Sequence, residues 1–225
     1  MALELLFPQV DLSTVQGVLI DIDDTLYLYE PAHQAALQAC YKLFLAHTAL
    51  TTISFAEFKA TYRLHRTEVT QRLAGQGACR SRLLAFQSLY ENLALKSAFN
   101  EALAQEGQYW QTFFTYMQVN LEALAFLQRC AQQQIPVCVI SDMQVSIQIQ
   151  KLQVLGLSQL INFLVTSEEC GIEKPAAALF TRALSKLKLS AAHVIMIGDH
   201  LEKDIVGAQT LGIRTYQVKI LNEDV

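Results

Sequence analysis

Residues 18–27 have the sequence VLIDIDDTLY, an apolar run that stops in three carboxylates. Short β-branched runs of this kind are typical of a buried central strand, and the acids then lie at its carboxyl end. Asp21 and Asp23 are two positions apart, so an extended chain aims both side chains to one face. Two carboxylates that close repel by roughly 4 kcal/mol at an effective dielectric of about 20, so they need a cation or a shared proton. The stretch predicts a chemical site at the end of a strand.

Two other interpretations of this acidic stretch exist. A calcium loop of the EF-hand kind needs an acid at its fifth position, glycine at the sixth and glutamate at the twelfth. Counted from Asp21, these positions hold Thr25, Leu26 and Ala32, so the calcium-loop interpretation fails. Considered alone, the stretch is also explained by an acidic turn with solvated side chains. Residues elsewhere in the chain are needed to choose between this turn and a chemical site.

The composition indicates a well-packed globular protein. Of the 225 residues 52% are hydrophobic, and no apolar run reaches the length of about eighteen residues that a membrane span needs. Residues 1–12 contain two acids and no basic start, which argues against a signal peptide. The net charge of −4 gives no electrostatic footprint for nucleic acid. We therefore expect a cytoplasmic protein that binds neither nucleic acid nor membranes, and its oligomeric state is left open.

The number and spacing of the cysteines also favour a cytoplasmic protein. They are odd in number, widely scattered and never form a Cys-x-x-Cys pair: Cys40, Cys79, Cys130, Cys138 and Cys170. This spacing is typical of reduced thiols and not of a disulfide framework or a zinc site.

The order of predicted elements indicates an α/β fold, a doubly wound, Rossmann-like parallel sheet with an inserted helical cap. The next buried strand after Tyr27 is residues 136–140, more than a hundred residues further on, whereas a parallel crossover needs only about a dozen. Residues 28–115 carry apolar side chains at helical spacing, which predicts an inserted helical domain. Residues 1–27 and 116–225 are then predicted to form the α/β core.

Beyond residue 141 helices and strands alternate at short intervals, as in doubly wound sheets. Helices are predicted at residues 145–155, 176–187 and 201–211, and strands at residues 163–165, 193–197 and 213–218. Ligands of such sheets bind beyond the carboxyl ends of the strands. Those ends and the loop after the third core strand carry Asp21, Asp23, Ser141, Asp199 and Lys174. Considered one at a time, Ser141 is also explained as a turn residue and Lys174 as a solvated loop lysine. The placement of all five residues at the same edge of the sheet predicts a catalytic site.

These motifs resemble the haloacid dehalogenase superfamily, in the group of phosphatases with a helical cap inserted after the first strand. Residues 21–25, DIDDT, are similar to the first motif of the family, and the second to fourth motifs are matched by Ser141, by Lys174-Pro175, and by Gly198-Asp199 with Asp204. The resemblance implies a strand order of 5-4-1-2-3 among the core strands, with Asp21 on the central one. The cap is similar to the family only in position and helicity.

The resemblance implies hydrolysis of a small phosphorylated metabolite, a phosphomonoester, through an aspartyl-phosphate. Asp21 resembles the nucleophile of the family, and Asp23 resembles the acid/base that protonates the leaving alkoxide. Ser141 is expected to donate to a phosphoryl oxygen and Lys174 to offset negative charge. The dehalogenases of the superfamily lack an acid at the position of Asp23, which favours phosphoryl chemistry.

Mg²⁺ is the cofactor that the resemblance implies. Its expected ligands are the carboxylate of Asp21, the backbone carbonyl of Asp23 and the carboxylate of Asp199. Asp204 is expected either to bind the ion or to lie behind its ligands. An acid at this position is also favoured by the dipole of the predicted helix, so Asp204 has a purely structural explanation as well.

Three residues near the motifs depart from the family or have a non-catalytic explanation. Asp142 follows Ser141 where the family commonly has Asn, and it either faces the anionic substrate or caps the next helix. His200 follows Asp199 and is expected to be a surface histidine. Thr25 is expected to brace the first loop through its hydroxyl.

Two alternative functions remain at this point. A sugar phosphomutase or phosphotransferase shares the same core residues, and a non-enzymatic scaffold would be signalled by loss of a core residue, which does not occur here. The predicted cap has an excess of basic residues: Lys59, Arg63, Arg66, Arg72, Arg80 and Arg82. They would suit a second anionic group, although an ordinary solvated helix face explains them more simply.

Overall fold

The computed structural model describes residues 3–48, 52–93 and 98–222. Contacts between Cα atoms divide the chain into two compact units. The core unit comprises the described residues up to Tyr29 and from Gln118 onward, and the helical unit comprises Glu30–Met117. The function of the helical unit as a cap stays a prediction. No helix among the described residues combines the length and the apolar character that crossing a membrane requires.

The described part of the helical unit is built from helices: α1 Tyr29–His47, α2 Phe55–Arg72, α3 Arg82–Asn92 and α4 Ala98–Tyr116, with a 3₁₀ turn at Gly77–Arg80. Helix α2 begins at a capping box, in which the Ser54 hydroxyl accepts from the Glu57 amide and the Glu57 carboxylate accepts from the Ser54 amide. Aromatic rings fill the interior of the unit. The Phe44 ring, for example, lies 5.3 Å from Phe58 and 5.8 Å from Tyr90, centroid to centroid.

Arg82 does not belong to a solvated helix face, which corrects the simpler explanation for this basic residue. Its side chain is buried. The guanidinium donates to the Tyr62 hydroxyl at 2.5 Å and lies 4.0 Å from the centroid of the Tyr109 ring. A buried cation held by a hydroxyl and an aromatic face organises the interior of the helical unit.

The core unit contains a five-stranded sheet and a small two-stranded one among its described residues. The strands are β1 Leu3–Leu6, β2 Gly17–Ile20, β3 Val137–Ser141, β4 Phe163–Thr166, β5 Val194–Gly198, β6 Arg214–Gln217 and β7 Lys219–Asn222. The large sheet has the order β4-β3-β2-β5-β6, and its neighbouring strands are all parallel. This confirms the predicted order with Asp21 following the central strand β2.

The two-stranded sheet was not predicted. It pairs β1 with β7 in antiparallel register, so that Leu5 lies opposite Ile220. The two strands come from opposite ends of the chain, and each has only four residues. A pairing between such distant and short segments leaves no local pattern in the sequence.

Helices flank the core sheet: α5 Leu121–Gln132, α6 Val145–Val154, α7 Ser167–Cys170, α8 Ala177–Leu187 and the short α9 Gly207–Gln209. The exposed fraction of Val18, Leu19 and Ile20 on β2 is 0%, which explains why this strand is apolar without alternation. Leu19 packs in one cluster with residues of β3, β5 and α8. Burial of each such side chain stabilises the fold by about 1.5–3 kcal/mol.

The predicted helix at residues 201–211 is wrong in its form. Leu201–Val206 is a π-helical turn, and only Gly207–Gln209 continues as α-helix. The carbonyl of His200 accepts from the amides of both Asp204, at 2.9 Å, and Ile205, at 3.4 Å. Helical turns of this wider type concentrate at functional sites, and here the turn carries the buried Asp204.

Candidate active site

The carboxyl ends of the parallel strands bring predicted residues to one edge of the sheet. Ile20 at the end of β2 is in register with Val139 on β3 and with Ile197 on β5. Asp21 follows Ile20, and its amide donates to the Ile197 carbonyl at 3.0 Å. The same edge carries Ser141, the last residue of β3, and Asp199, which follows β5.

The loop after β2 turns back at once, which keeps Asp23 at this edge. The amide of Leu26 donates to the Ile22 carbonyl at 2.9 Å. Asp24 has a φ of +55°, a left-handed conformation that aspartate tolerates better than most residues. Its carboxylate accepts from the Tyr29 amide at 2.9 Å, so the side chain stabilises the turn that its backbone makes.

Lys174 is the cation of the site. Its ammonium group is buried and lies 2.6 Å from Asp204 Oδ1 and 2.9 Å from Asp21 Oδ1, and it donates to the Ile140 carbonyl at 3.2 Å. Burial alone would lower the pKa of Lys174, but the carboxylates of Asp204 and Asp21 raise it above its usual value. Lys174 is therefore a fixed positive charge between two acids, which rules out the solvated loop lysine.

Three carboxylates crowd beside this lysine. Ligand oxygens of Asp21, Asp199 and Asp204 lie within 4.8 Å of one another. Burial, with added repulsion from Asp204 and Asp199, raises the pKa of Asp21 well above its usual range despite the attraction of Lys174. Burial and the neighbouring charges of Asp204 and Asp24 raise the pKa of Asp199 to about 7. Three carboxylates against one ammonium leave two negative charges, and an all-oxygen set of this kind fits Mg²⁺.

Asp204 reaches the site because Gly198 has no side chain. A methyl group on Gly198 would lie 2.5 Å from Asp204 Cγ and Oδ2. Asp204 is fully buried, and its two oxygens accept from the Lys174 ammonium at 2.6 Å and from the His200 amide at 3.0 Å. These bonds fix the orientation of the carboxylate in the site.

Asp23 is held by two residues that the sequence analysis missed. The Lys151 ammonium on α6 lies 2.6 Å from Asp23 Oδ1 and 2.9 Å from Oδ2. The Tyr27 hydroxyl also donates to Oδ1. Lys151 and Tyr27 are fully buried or nearly so, whereas the exposed fraction of the Asp23 side chain is 31%. The carboxylate is thus anchored by two buried side chains while part of it stays exposed.

Ser141 also has a partner that was not predicted. Gln148 on α6 is fully buried, and its side-chain NH₂ donates to the Ser141 hydroxyl oxygen at 2.5 Å. A hydroxyl has one hydrogen to donate and two lone pairs to accept. Because Gln148 uses a lone pair, the hydrogen of Ser141 is available for a phosphoryl oxygen.

Asp142 accepts hydrogen bonds from two lysines and does not take the helix-capping role that was considered for it. Its carboxylate accepts from the Lys174 amide at 2.8 Å and from the Lys203 ammonium at 2.7 Å. The first amide of α6, at Val145, is instead bonded to Glu168 at 2.9 Å, so Asp142 does not cap that helix. The Lys203 ammonium is shared with Glu173 at 3.1 Å, and the bond from the Lys174 amide to Asp142 supports the loop that carries Lys174.

His200 and Thr25 complete the comparison with the sequence. His200 is exposed, as expected, and its Nδ1 accepts from the Lys203 amide at 3.3 Å, which caps the π-helical turn. The expected bracing role of the Thr25 hydroxyl is wrong. Among the described residues this buried hydroxyl has no hydrogen-bond partner, and the residue is held through its amide, which donates to the Ile22 carbonyl at 3.3 Å.

Comparison with known proteins identifies relatives over most of the chain. A family model described as haloacid dehalogenase-like hydrolase matches residues 15–212. A ribulose-1,5-bisphosphate 5-phosphatase from Halopiger xanaduensis is 35% identical over 88% of this chain and 82% of its own length. A glyceraldehyde 3-phosphate phosphatase from Methanopyrus kandleri is 27% identical over 91% of this chain and 84% of its own length.

Solved structures have the same fold. A 2-haloacid dehalogenase from Pseudomonas syringae pv. Tomato DC3000 superposes with a TM-score of 0.71 at 25% identity, over 90% of this chain and 86% of that one. A HAD phosphatase from Thermococcus onnurineus gives a TM-score of 0.63 at 20% identity, over 93% and 87%. Since dehalogenases and phosphatases share this fold, the chemistry has to be argued from the side chains.

Proposed function

The chain is a phosphatase-type enzyme of the haloacid dehalogenase-like hydrolase family, and we propose that it hydrolyses a small phosphorylated sugar through an aspartyl-phosphate on Asp21. The observation that carries the proposal is the position of the Asp21 carboxylate, 2.9 Å from the buried Lys174 ammonium and two residues before a second acid. A dehalogenase would have no use for Asp23, because a halide leaves without a proton.

In the first step a carboxylate oxygen of Asp21 attacks phosphorus. A bond forms between this oxygen and phosphorus while the bond from phosphorus to the leaving alkoxide breaks. Lys174 offsets the negative charge that the phosphoryl group brings next to Asp21, and the Ser141 hydroxyl donates to a phosphoryl oxygen. Both groups are buried and held by neighbours, so their positions do not have to be established during the reaction.

Asp23 handles the proton in both steps. In its protonated, carboxylic acid form Asp23 donates its proton to the leaving alkoxide. The resulting Asp23 carboxylate then takes a proton from the water that attacks phosphorus, while the bond from phosphorus to the Asp21 oxygen breaks. The second step releases inorganic phosphate and restores the carboxylate of Asp21. The partly exposed Asp23 side chain is suited to reach both the leaving group and a water molecule.

The carboxylates of Asp21, Asp199 and Asp204 and the backbone carbonyl of Asp23 would hold Mg²⁺. Bound Mg²⁺ would draw negative charge from the phosphoryl oxygens. A cation suits this crowded cluster, because burial and the mutual repulsion of the carboxylates raise the pKa of both Asp21 and Asp199. We expect excess chelator to abolish turnover and Ca²⁺, with its larger and more flexible coordination, to inhibit.

The substrate class rests on the relatives. They are named for a sugar bisphosphate and a triose phosphate, and a short phosphorylated sugar is the chemistry that these two names share. The negative net charge of the chain offers no general attraction for such anions, so Lys174 and the bound cation would supply it locally.

The test is turnover by purified protein with Mg²⁺ against sugar phosphates, sugar bisphosphates and an aryl phosphate. Asp21→Asn keeps the shape of the side chain but removes the nucleophile, so phosphoenzyme and turnover should disappear while folding is retained. The matched control is Asp11→Asn, which changes an exposed acid near the same end of the chain.

Three results would decide against the proposal. Wild-type turnover in Asp21→Asn would exclude the covalent mechanism. Transfer of the phosphoryl group to a second sugar instead of water would identify a sugar phosphomutase or phosphotransferase. A folded, Mg²⁺-loaded wild type that hydrolyses nothing across the panel would favour a binding function.

A further inference from the structure

Helix α6 carries two polar side chains on its buried face. The exposed fractions of Gln148 and Lys151 are 0% and 1%, whereas the apolar Ile149 on the same helix is 44% exposed. Gln148 and Lys151 lie beside the buried apolar residues Ile147 and Leu152, at positions where a surface helix normally has further apolar side chains. Burying a lysine is unfavourable unless its charge is paired, so Lys151 needs an explanation in the site that it faces.

The tip of Lys151 meets the proposed acid/base. Its ammonium contacts both oxygens of Asp23, at 2.6 and 2.9 Å, and the Tyr27 hydroxyl donates to one of them. An ammonium that contacts both oxygens restrains rotation of the Asp23 carboxylate about the bond from Cβ to Cγ. The Tyr27 hydroxyl restrains it further by donating to one of the same oxygens. A partly exposed aspartate on a loop would otherwise sample several rotamers.

We propose that Lys151, together with Tyr27, is a positioning residue that holds the Asp23 carboxylate in the orientation needed for proton exchange with the leaving group and water. The inference rests on the proposed function of Asp23. It makes α6 part of the active site, because Gln148, three residues before Lys151, holds Ser141 in the same way. The two residues lie on one face of the helix, as the spacing of three requires.

A positioning role predicts a loss that depends on the leaving group. Alkyl phosphates need protonation of a poor leaving group, whereas aryl phosphates need little. In Lys151→Met, which keeps most of the side-chain volume but removes the charge, we expect alkyl turnover to fall by about 10- to 100-fold, the effect of misplacing a catalytic group by roughly 1 Å. The burst of phosphoenzyme formation from the aryl substrate should stay within about threefold of wild type, since its first step needs little proton transfer.

Three comparisons separate positioning from a structural role. Lys186→Met removes a lysine that pairs with Glu169 in the same unit and should leave the alkyl-to-aryl ratio unchanged. Lys151→Gln, which restores one donor, should recover part of the alkyl turnover. Combined with Asp23→Asn, Lys151→Met should add no more than about a threefold further loss, because both changes act on one step.

The outcomes of these experiments are distinct from failure of the proposed function itself. If wild type is inactive, or Asp21→Asn is active, the proposed function fails. If those two behave as expected but Lys151→Met lowers alkyl turnover and the burst rate on the aryl substrate equally, or changes neither, the positioning role is wrong. Should Lys151→Met not fold, Tyr27→Phe removes only a hydroxyl, and an unchanged alkyl-to-aryl ratio in that variant would overturn the inference.

Discussion

A single methyl group at Gly198 should disable the site without removing any of its charges. The added carbon of Gly198→Ala would lie 2.5 Å from Asp204 Cγ and 2.7 Å from Asp204 Cβ, about 1 Å inside the ~3.5 Å separation of non-bonded carbons. Asp204 is fully buried and is held by the Lys174 ammonium and the His200 amide. The clash therefore has to be relieved by moving the Asp204 carboxylate, by about 1 Å.

Two magnitudes follow from this displacement. Forcing one carbon into a packed interior costs about 1–3 kcal/mol, and for a chain of this size that lowers Tm by about 2–12 °C. A shift of roughly 1 Å in a group that positions the reacting charges costs about 100-fold in rate. Because the shift also spreads the carboxylate cluster around Asp21 and Asp199, we expect Mg²⁺ to bind more weakly.

The assay compares Gly198→Ala with wild type and with Gly107→Ala. Gly107 lies inside α4, and a methyl group there would meet no atom within 4 Å. This control should gain about 0.5–1 kcal/mol of stability, since alanine suits a helix interior better than glycine, and should keep its turnover. Tm, kcat on a sugar phosphate and Mg²⁺ affinity by calorimetry are measured for all three. If Gly198→Ala has wild-type Tm and a kcat within twofold of wild type, the close approach does not constrain Asp204.

Three further predictions concern single residues. Burial raises the pKa of Asp199 to about 7, so below that pH Mg²⁺ has to displace a proton from this carboxyl. Calorimetry should therefore show that the affinity of the metal-free protein for Mg²⁺ falls by up to about tenfold for each unit by which the pH is lowered. Asp142→Asn keeps an acceptor for the Lys174 amide but loses the largely buried ion pair with Lys203. Denaturant unfolding should therefore show a loss of about 1.5–3 kcal/mol, and a tenfold drop in KM would mean that Asp142 also repels substrate. Thr25→Val removes a buried hydroxyl that has no hydrogen-bond partner among the described residues, so the free energy of unfolding should rise by about 1 kcal/mol. A lower free energy of unfolding in this variant would instead support the bracing role of the hydroxyl.

The sequence was sufficient to predict the positions of the candidate site residues that lie on or next to strands. An apolar run that ends in Asp21 and Asp23 predicts a buried strand and a site at its end, because the two-residue period of a strand fixes which side chains converge. The same logic placed Ser141 and Asp199, each at the end of a strand that pairs with β2. Once strand order is set, residues far apart in the chain meet at one sheet edge.

Helix α6 shows where such reasoning fails. Ile147 and Leu152 of this helix are buried, as apolar residues normally are. Ile149 and Val154, however, are 44% and 49% exposed, whereas the polar Gln148 and Lys151 are buried. A pattern of apolar residues predicts the face that packs in a generic core. It does not predict that Gln148 and Lys151 are buried against Ser141 and Asp23, because these partners lie on other elements.

The sequence did not predict the π-helical turn at Leu201–Val206 for a related reason. Its composition suits an ordinary α-helix, and the wider turn follows from the need to bring Asp204 beneath Gly198 and onto Lys174. That need arises from tertiary contacts, which override the local preference of the chain.

The departures from ordinary packing in the core unit coincide with its proposed chemistry. Its buried charged side chains among the described residues are Asp21, Lys151, Lys174 and Asp204. Each of them touches the strand-end cluster, either directly or through Asp23. Apolar residues of similar volume would give a more stable core, so stability alone does not explain these charges. A core unit that gathers its buried charges at one sheet edge concentrates these unfavourable contacts at the proposed site, which is the physical reason to propose the reaction at that edge.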